Sequence, residues 1–204
     1  MTTLPRIVVL ASGSGTNLQA LIDTLHGREV EIVGVGSDKP GCRALGRAEE
    51  ASIATATFPI GEFADRPARD AAMAAWAQEV GAQVVVLAGY MALLTPAFLD
   101  AFRERVVNVH PSLLPAFTGL EAIEQALAYG VKVFGVTVHL VDDGIDTGPI
   151  LLQGAIELPE ATDPEEVHRA LQPIEHRLLP EAVRLLVAGG FAPDREHPRR
   201  MRRV

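Results

Sequence analysis

The sequence predicts an α/β fold: a mostly parallel, twisted sheet with helices on both faces and a Rossmann-like N-terminal half. Three observations carry the prediction. Short runs of Val, Ile and Leu alternate with stretches of helical periodicity, which implies right-handed crossovers between parallel strands. Aromatic residues make up only 5% of the 204 residues while hydrophobic ones reach 48%, so branched aliphatics and alanine must fill the interior, as in sheets covered on both faces. The length suits one good core, hence one domain with two lobes.

The elements follow in order. Residues 6–11 form a β-branched run, read as a buried strand, broken by Ser12, Gly13, Ser14 and Gly15. Leu18, Leu21, Ile22 and Leu25 then recur at helical spacing. Residues 31–37 read as a strand ending at the turn Asp38-Lys39-Pro40-Gly41. Residues 43–51 are expected helical, 53–58 a short strand, 68–80 an alanine-rich helix and 83–88 another buried strand. Residues 106–110 make a strand stopped by Pro111, 120–129 a helix and 133–141 a strand. Along this last run Val136, Val138 and Leu140 alternate with Thr137 and His139. An extended segment starts at Gly148. From Pro164 onward, Val167, Leu171, Ile174, Leu178 and Leu179 mark a helical face. We expect residues 1–190 to form a single domain, with a nucleotide-phosphate half over about 1–100 and a folate/catalytic half over about 101–190. A basic, loose tail is expected over 191–204.

Charge and cysteine content narrow the function. A net charge of −8 argues against nucleic acid as a partner, because phosphate neutralisation needs a basic face. The exception is the tail, where Arg195, Arg199, Arg200, Arg202 and Arg203 cluster around Pro198 and read as a solvated, frayed end. Cys42 is the only cysteine, so no intrachain disulfide forms and a reducing compartment fits. No apolar run reaches membrane-spanning length and no signal-peptide core precedes Ser12, so the expected location is the cytoplasm, with no membrane partner.

Two constellations carry chemistry. The glycine-rich turn between first strand and first helix lets backbone approach an anion at a helix N-terminus, with Ser14, Thr16 and Asn17 adding donors. Leu18 replaces the third glycine of a dinucleotide fingerprint and no Walker lysine follows, so phosphate is the expected ligand; a bare tight turn is the alternative. Asn108 and His110, two apart in a strand, share a face at its end. An amide could donate to a developing oxyanion while an imidazole supplies charge or a proton; otherwise both serve only local backbone groups. Asp146, in a polar loop, could favour the imidazolium. Asp142 and Asp143 beside it leave a divalent metal as a rival reading, weakened by the lack of a tight His/Cys/Asp set.

The ordered motifs Gly13-Ser14-Gly15-Thr16-Asn17-Leu18-Gln19, Val86-Leu87-Ala88-Gly89-Tyr90-Met91, Asn108-Val109-His110-Pro111-Ser112-Leu113-Leu114-Pro115 and Asp142-Asp143-Gly144-Ile145-Asp146-Thr147-Gly148-Pro149 resemble those of the formyltransferase family. The likeness covers about residues 5–190, and the first motif with the short length is similar to its phosphoribosylglycinamide branch. The resemblance implies the formyltransferase fold, two small-molecule substrates (10-formyltetrahydrofolate as co-substrate and 5-phosphoribosylglycinamide), no metal, and a monomer or homodimer. It assigns Asn108, His110 and Asp146 to the catalytic centre. It places the ribonucleotide on Gly15, Thr16, Asn17, Gln172, Pro173, Ile174 and Glu175. It gives the folate Arg66, Met91, Ala92, Leu93, Leu94, Asn108, Asp142, Asp143, Gly144, Ile145 and Asp146. The chain departs from the family pattern at Thr118, where a proline is common, at Glu121 and Ile123, where histidines follow, and at Ala92, where an arginine often stands. Other expectations compatible with the residues are a sugar-amine formyltransferase, a deformylase, or a phosphate-binding module without chemistry.

Overall fold

A computed structural model describes residues 3–197 and 199–204; Met1, Thr2 and Pro198, the centre of the predicted arginine cluster, lie outside the described residues. The chain falls into two compact units, with the boundary between Val107 and Asn108 in the sequence.

The first unit is built from β1 (Arg6–Leu10), α1 (Thr16–Thr24), β2 (Glu31–Ser37), α2 (Arg43–Glu50), β3 (Thr55–Thr57), α3 (Arg66–Glu79), β4 (Val84–Leu87) and α4 (Pro96–Leu99). Its strands pair in the order β3-β2-β1-β4, all parallel. That order and direction are those of a Rossmann half, as predicted. Ile7, Val8, Val9 and Leu10 are wholly buried, which is what a continuous aliphatic run in a parallel strand requires. Helices α1, α2 and α3 bury Leu18 and Leu21, Ala44 and Ala48, and Met73 and Ala77. The third helix begins two residues before its expected start because Asp65 caps it, its carboxylate accepting the Ala68 N–H at 2.8 Å. Two 3₁₀ turns, Ile60–Glu62 and Asp100–Phe102, and the one-turn α4 were not expected; each is too short for periodicity to show.

The strand β5 (Val106–His110) runs through the boundary. The second unit continues with α5 (Ala122–Tyr129), β6 (Val133–Leu140), β7 (Ile150–Glu157), α6 (Pro164–Val187), β8 (Phe191–Pro193) and β9 (Met201–Arg203). Strands β6 and β7 are antiparallel, with Val133 opposite Glu157 and His139 opposite Ile150. With the parallel strands of the first unit, the fold is α/β with a mostly parallel sheet and flanking helices. Helix α6 packs on β6 and β7 through a buried face of Val167, Leu171, Leu178, Leu179, Ala182 and Val183. Asp163 caps it, accepting from the Glu165 and Glu166 N–H groups. The helix runs past Pro173 and Pro180 to Val187, well beyond the face predicted from periodicity. Among the described residues, no helix is long and apolar enough to cross a membrane.

Near the C-terminal end, β8 and β9 form an antiparallel hairpin with Phe191 opposite Arg203. Acidic partners hold the arginines. Asp194 pairs with Arg202 at 3.3 Å and Glu181 with Arg203 at 2.5 Å. The Asp194 carboxylate also accepts the Glu196 and His197 N–H groups, and these bonds hold its pKa below the usual carboxylate value.

Candidate active site

In the second unit, four polar side chains converge. Asn108 and His110 share one face of β5, as their spacing requires, and both meet Asp146. Asp146 Oδ2 lies 3.4 Å from His110 Nδ1 and accepts the Gly119 N–H at 2.7 Å. Asp146 Oδ1 lies 3.5 Å from Asn108 Nδ2 and 3.6 Å from His139 Nε2. His110 Nε2 faces the Phe117 carbonyl at 2.8 Å. His139 Nδ1 faces the Leu140 carbonyl at 2.8 Å, and its Nε2 lies 3.2 Å from Asn108 Nδ2. One carboxylate therefore organises an amide and two imidazoles.

Burial of Asp146 is the largest single influence on its carboxyl and opposes ionisation. The hydrogen bond with His139, the Gly119 N–H and the charges of His110 and His139 together outweigh it and hold the pKa below 3.8. The backbone around this cluster is constrained: Phe117, Glu121 and Asp146 adopt φ of 53°, 57° and 52°, in the left-handed region. Each such non-glycine residue costs about 1–3 kcal/mol and persists only where surrounding contacts fix it. Here the contacts are visible. Gln125 Nε2 donates to the Thr118 and Leu120 carbonyls, and Thr137 Oγ1 donates to the Ser112 carbonyl at 2.7 Å while accepting the Leu114 N–H. The Leu114–Pro115 peptide bond is cis.

The loop carrying Asp146 closes on itself. Asp142 Oδ1 accepts from the Gly144 N–H at 3.1 Å and the Thr147 hydroxyl at 2.6 Å. At the neck Leu140 N–H donates to the Pro149 carbonyl, and a side chain at Gly148 would collide with the Leu140 carbonyl. The Arg199 guanidinium donates to the Thr147 carbonyl and lies 4.0 Å from Asp142. Asp143 and Ile145 are exposed on this loop. An open cavity of about 820 Å³ lies beside Asp146, lined by Leu114, Pro115, Ile150, Gln153 and Met201 among others. Gln172, Pro173, Ile174 and Glu175 occupy the middle of α6, where Glu175 is buried and Ile174 packs on Gly154 of β7.

In the first unit, β1 and β4 are adjacent and parallel, so the segments leaving their carboxyl ends meet. The turn after β1 holds Gly15 at φ 72°, and a Cβ there would sit 2.7 Å from Ala44 Cα. Glycine is required on both counts. Ala44 N–H donates to the Gly13 carbonyl, and Arg47 donates to the Ser14 carbonyl at 2.8 Å and to Gln19. Thr16 and the buried Asn17 open α1. The segment after β4 carries Met91 and Leu93, which are 56% and 50% exposed, with Ala92 and Leu94 half-buried. Arg66 is exposed at the start of α3. Among the described residues, no group of three or more His, Cys, Asp or Glu side chains is arranged to hold a metal ion.

This parallel sheet, with an Asn-His-Asp centre at a strand end, belongs to a known class: the family model described as formyl transferase matches residues 5–183, and the chain belongs to that family. Within it, the chain is 45% identical over 186 residues to the phosphoribosylglycinamide formyltransferase of Mycobacterium tuberculosis, covering 91% of this chain and 86% of that one. The crystal structure of glycinamide ribonucleotide transformylase 1 from Symbiobacterium toebii superposes with a TM-score of 0.94 at 44% identity, over 98% of this chain and 94% of that one. The trifunctional purine biosynthetic protein adenosine-3 of Drosophila melanogaster is 39% identical over 188 residues, which are 90% of this chain and 14% of that protein.

Sequence reasoning missed several contributors. His139, read from the sequence only as an alternating strand residue, is buried against Asn108 and Asp146. Its alternation with Val138 and Leu140 gave no sign of this, because every residue of β6 after Val133 is buried. The Gly119 N–H and the Phe117 carbonyl are backbone groups, and residue type carries no trace of them. Arg47 reaches the glycine-rich turn from 33 residues away, a distance that local pattern does not span.

Proposed function

We propose that the protein transfers the formyl group of 10-formyltetrahydrofolate to the amine of 5-phosphoribosylglycinamide, giving formylglycinamide ribonucleotide and tetrahydrofolate in purine biosynthesis. The observation that carries this reading is the placement of Asn108 and His110 around the Asp146 carboxylate. Membership of the formyl transferase family and likeness to enzymes named for this reaction support it.

In this mechanism the substrate amine attacks the formyl carbon directly and forms a tetrahedral intermediate with no covalent enzyme adduct. The C–N bond to the folate then breaks and a proton reaches the departing nitrogen. Asn108 Nδ2 and a protonated His110 stabilise the oxyanion. Both ring nitrogens of His110 face acceptors, the Phe117 carbonyl and Asp146, and only the imidazolium donates to both. Asp146 holds that cation and relays the amine proton through water. Gly15, Thr16 and Asn17 take the ribonucleotide phosphate, and Gln172, Pro173, Ile174 and Glu175 meet its glycinamide end, where a buried carboxylate suits a primary amine. Arg66, residues 91–94 and residues 142–146 bind the folate.

Incubating the protein with both substrates and following the folate product by absorbance tests the reading. Turnover is expected with glycinamide ribonucleotide and lost in His110→Ala. Asn108→Ala should lower kcat by about 10²–10³, the loss typical of one oxyanion donor. Formate release without an amine acceptor would instead identify a deformylase, and turnover only with an amino sugar would identify a sugar-amine formyltransferase.

A further inference from the structure

In the first unit, Arg69 and Asp70 are adjacent charged residues on α3, 2% and 0% exposed. They pair with each other, Arg69 Nε and Nη2 donating to Asp70 Oδ1 at 2.8 and 2.6 Å. Burying an ion pair costs several kcal/mol per ion and is offset only when the remaining donors and acceptors are also used. Here one further donor and the second carboxylate oxygen are used on one segment. Arg69 Nη2 donates to the Leu93 carbonyl at 3.3 Å, and Asp70 Oδ2 accepts the Thr95 N–H at 2.6 Å.

The other end of that segment is held too. Ser12 Oγ donates to Asp38 and accepts the Met91 N–H at 2.9 Å, while Ser12 N–H donates to the Gly89 carbonyl. Between the clamps, Tyr90 is buried with its hydroxyl against Met73, and burial above all pushes its phenol pKa up. Met91 and Leu93 are left half exposed on a fixed backbone. An apolar pair at 69 and 70 could fill the same core volume, but it could not grip a carbonyl and an amide two residues apart. The Thr95 hydroxyl makes no cap for α4, so no other side-chain bond of that residue duplicates the hold of Asp70.

We infer that Arg69 and Asp70 are positioning residues for residues 91–94, fixing that backbone for the folate; this rests on the assignment of the segment to folate under the proposed function. They act through the backbone of residues 93–95 and touch no reacting atom. The pair should therefore control the apparent affinity for the folate and leave the ribonucleotide untouched. Ser12 differs, since it serves both the segment and the glycine-rich turn, and its removal should disturb both substrates.

Three variants test this in the full-length protein: Asp70→Ala, Asp70→Asn and Arg69→Lys, the last keeping the ion pair while removing the guanidinium fork. Each is expected to raise the KM for 10-formyltetrahydrofolate by about tenfold, as loss of one charge-assisted hydrogen bond would. The KM for the ribonucleotide should stay within about twofold, and Ser12→Ala should raise both. Amide hydrogen exchange at residues 93–95, measured without substrates, should quicken in the same variants. Folded Arg69→Lys and Asp70→Asn proteins with lower thermal stability but wild-type folate KM and exchange would overturn the proposal, because a purely structural pair gives that result. Failure of the wild-type protein to use the two substrates would remove the functional reading, and the exchange experiment would still decide whether the clamp exists.

Discussion

Asp146 is the residue on which the centre turns, and its charge state sets a pH dependence. Its folded pKa lies below 3.8, so the stability it contributes is fully present above that value and is lost as pH falls through the lower folded value. The difference in melting temperature between wild type and Asp146→Asn should shrink as pH falls below about 4, followed by calorimetry. The same variant keeps an acceptor for the Gly119 N–H but removes the anion opposite His110. Its kcat should fall by about a hundredfold or more, with an altered pH–rate profile. The pairing of Asn108 with His110 was legible because strand geometry puts residues two apart on one face. Asp146 was legible only through its motif, since a loop 36 residues further on could lie anywhere. The role of His139 was left undecided by the sequence, because a histidine in an alternating strand looks the same whether it faces solvent or an amide.

At the scale of elements, the glycine-rich turn and α2 form one device. Gly15→Ala must both hold a left-handed φ and overlap Ala44, and should cost roughly 2–4 kcal/mol in urea unfolding, about half from each cause. Glu121 sits at the N-cap of α5 with φ 57° and no side-chain cap, so Glu121→Asn should raise stability by about 1 kcal/mol in the same measurement. The bounds of β2 and β5 were readable because turn signals flank β-branched runs. Helix α6 was under-read for an opposite reason. Pro173 and Pro180 each remove an N–H and argue for a helix end, at about 3 kcal/mol apiece in an interior. The apolar stripe from Val167 to Val183 continues through both, and its burial against β6 and β7 offsets that cost.

For the whole molecule, the parallel first unit followed from composition and alternation, whereas the C-terminal hairpin did not. Five arginines in fourteen residues look self-repelling until Asp194, Glu181 and Asp142 are seen beside them, and only folding brings the last two there. Exposed pairs of this kind contribute little singly, so Arg203→Ala should change stability by no more than about 1 kcal/mol. Deleting residues 191–204 should do more. Without Arg199 on Thr147 and Asp142, amide exchange over residues 142–148 should quicken, and the apparent folate affinity should weaken with it. One feature of the first unit also has a practical use. The sole thiol, Cys42, partly exposed, stands at the N-cap of α2, whose Ala44 and Arg47 grip the glycine-rich turn. A single maleimide dye attached there would need no engineered site, and its fluorescence titrated with ribonucleotide would test whether that turn takes the phosphate.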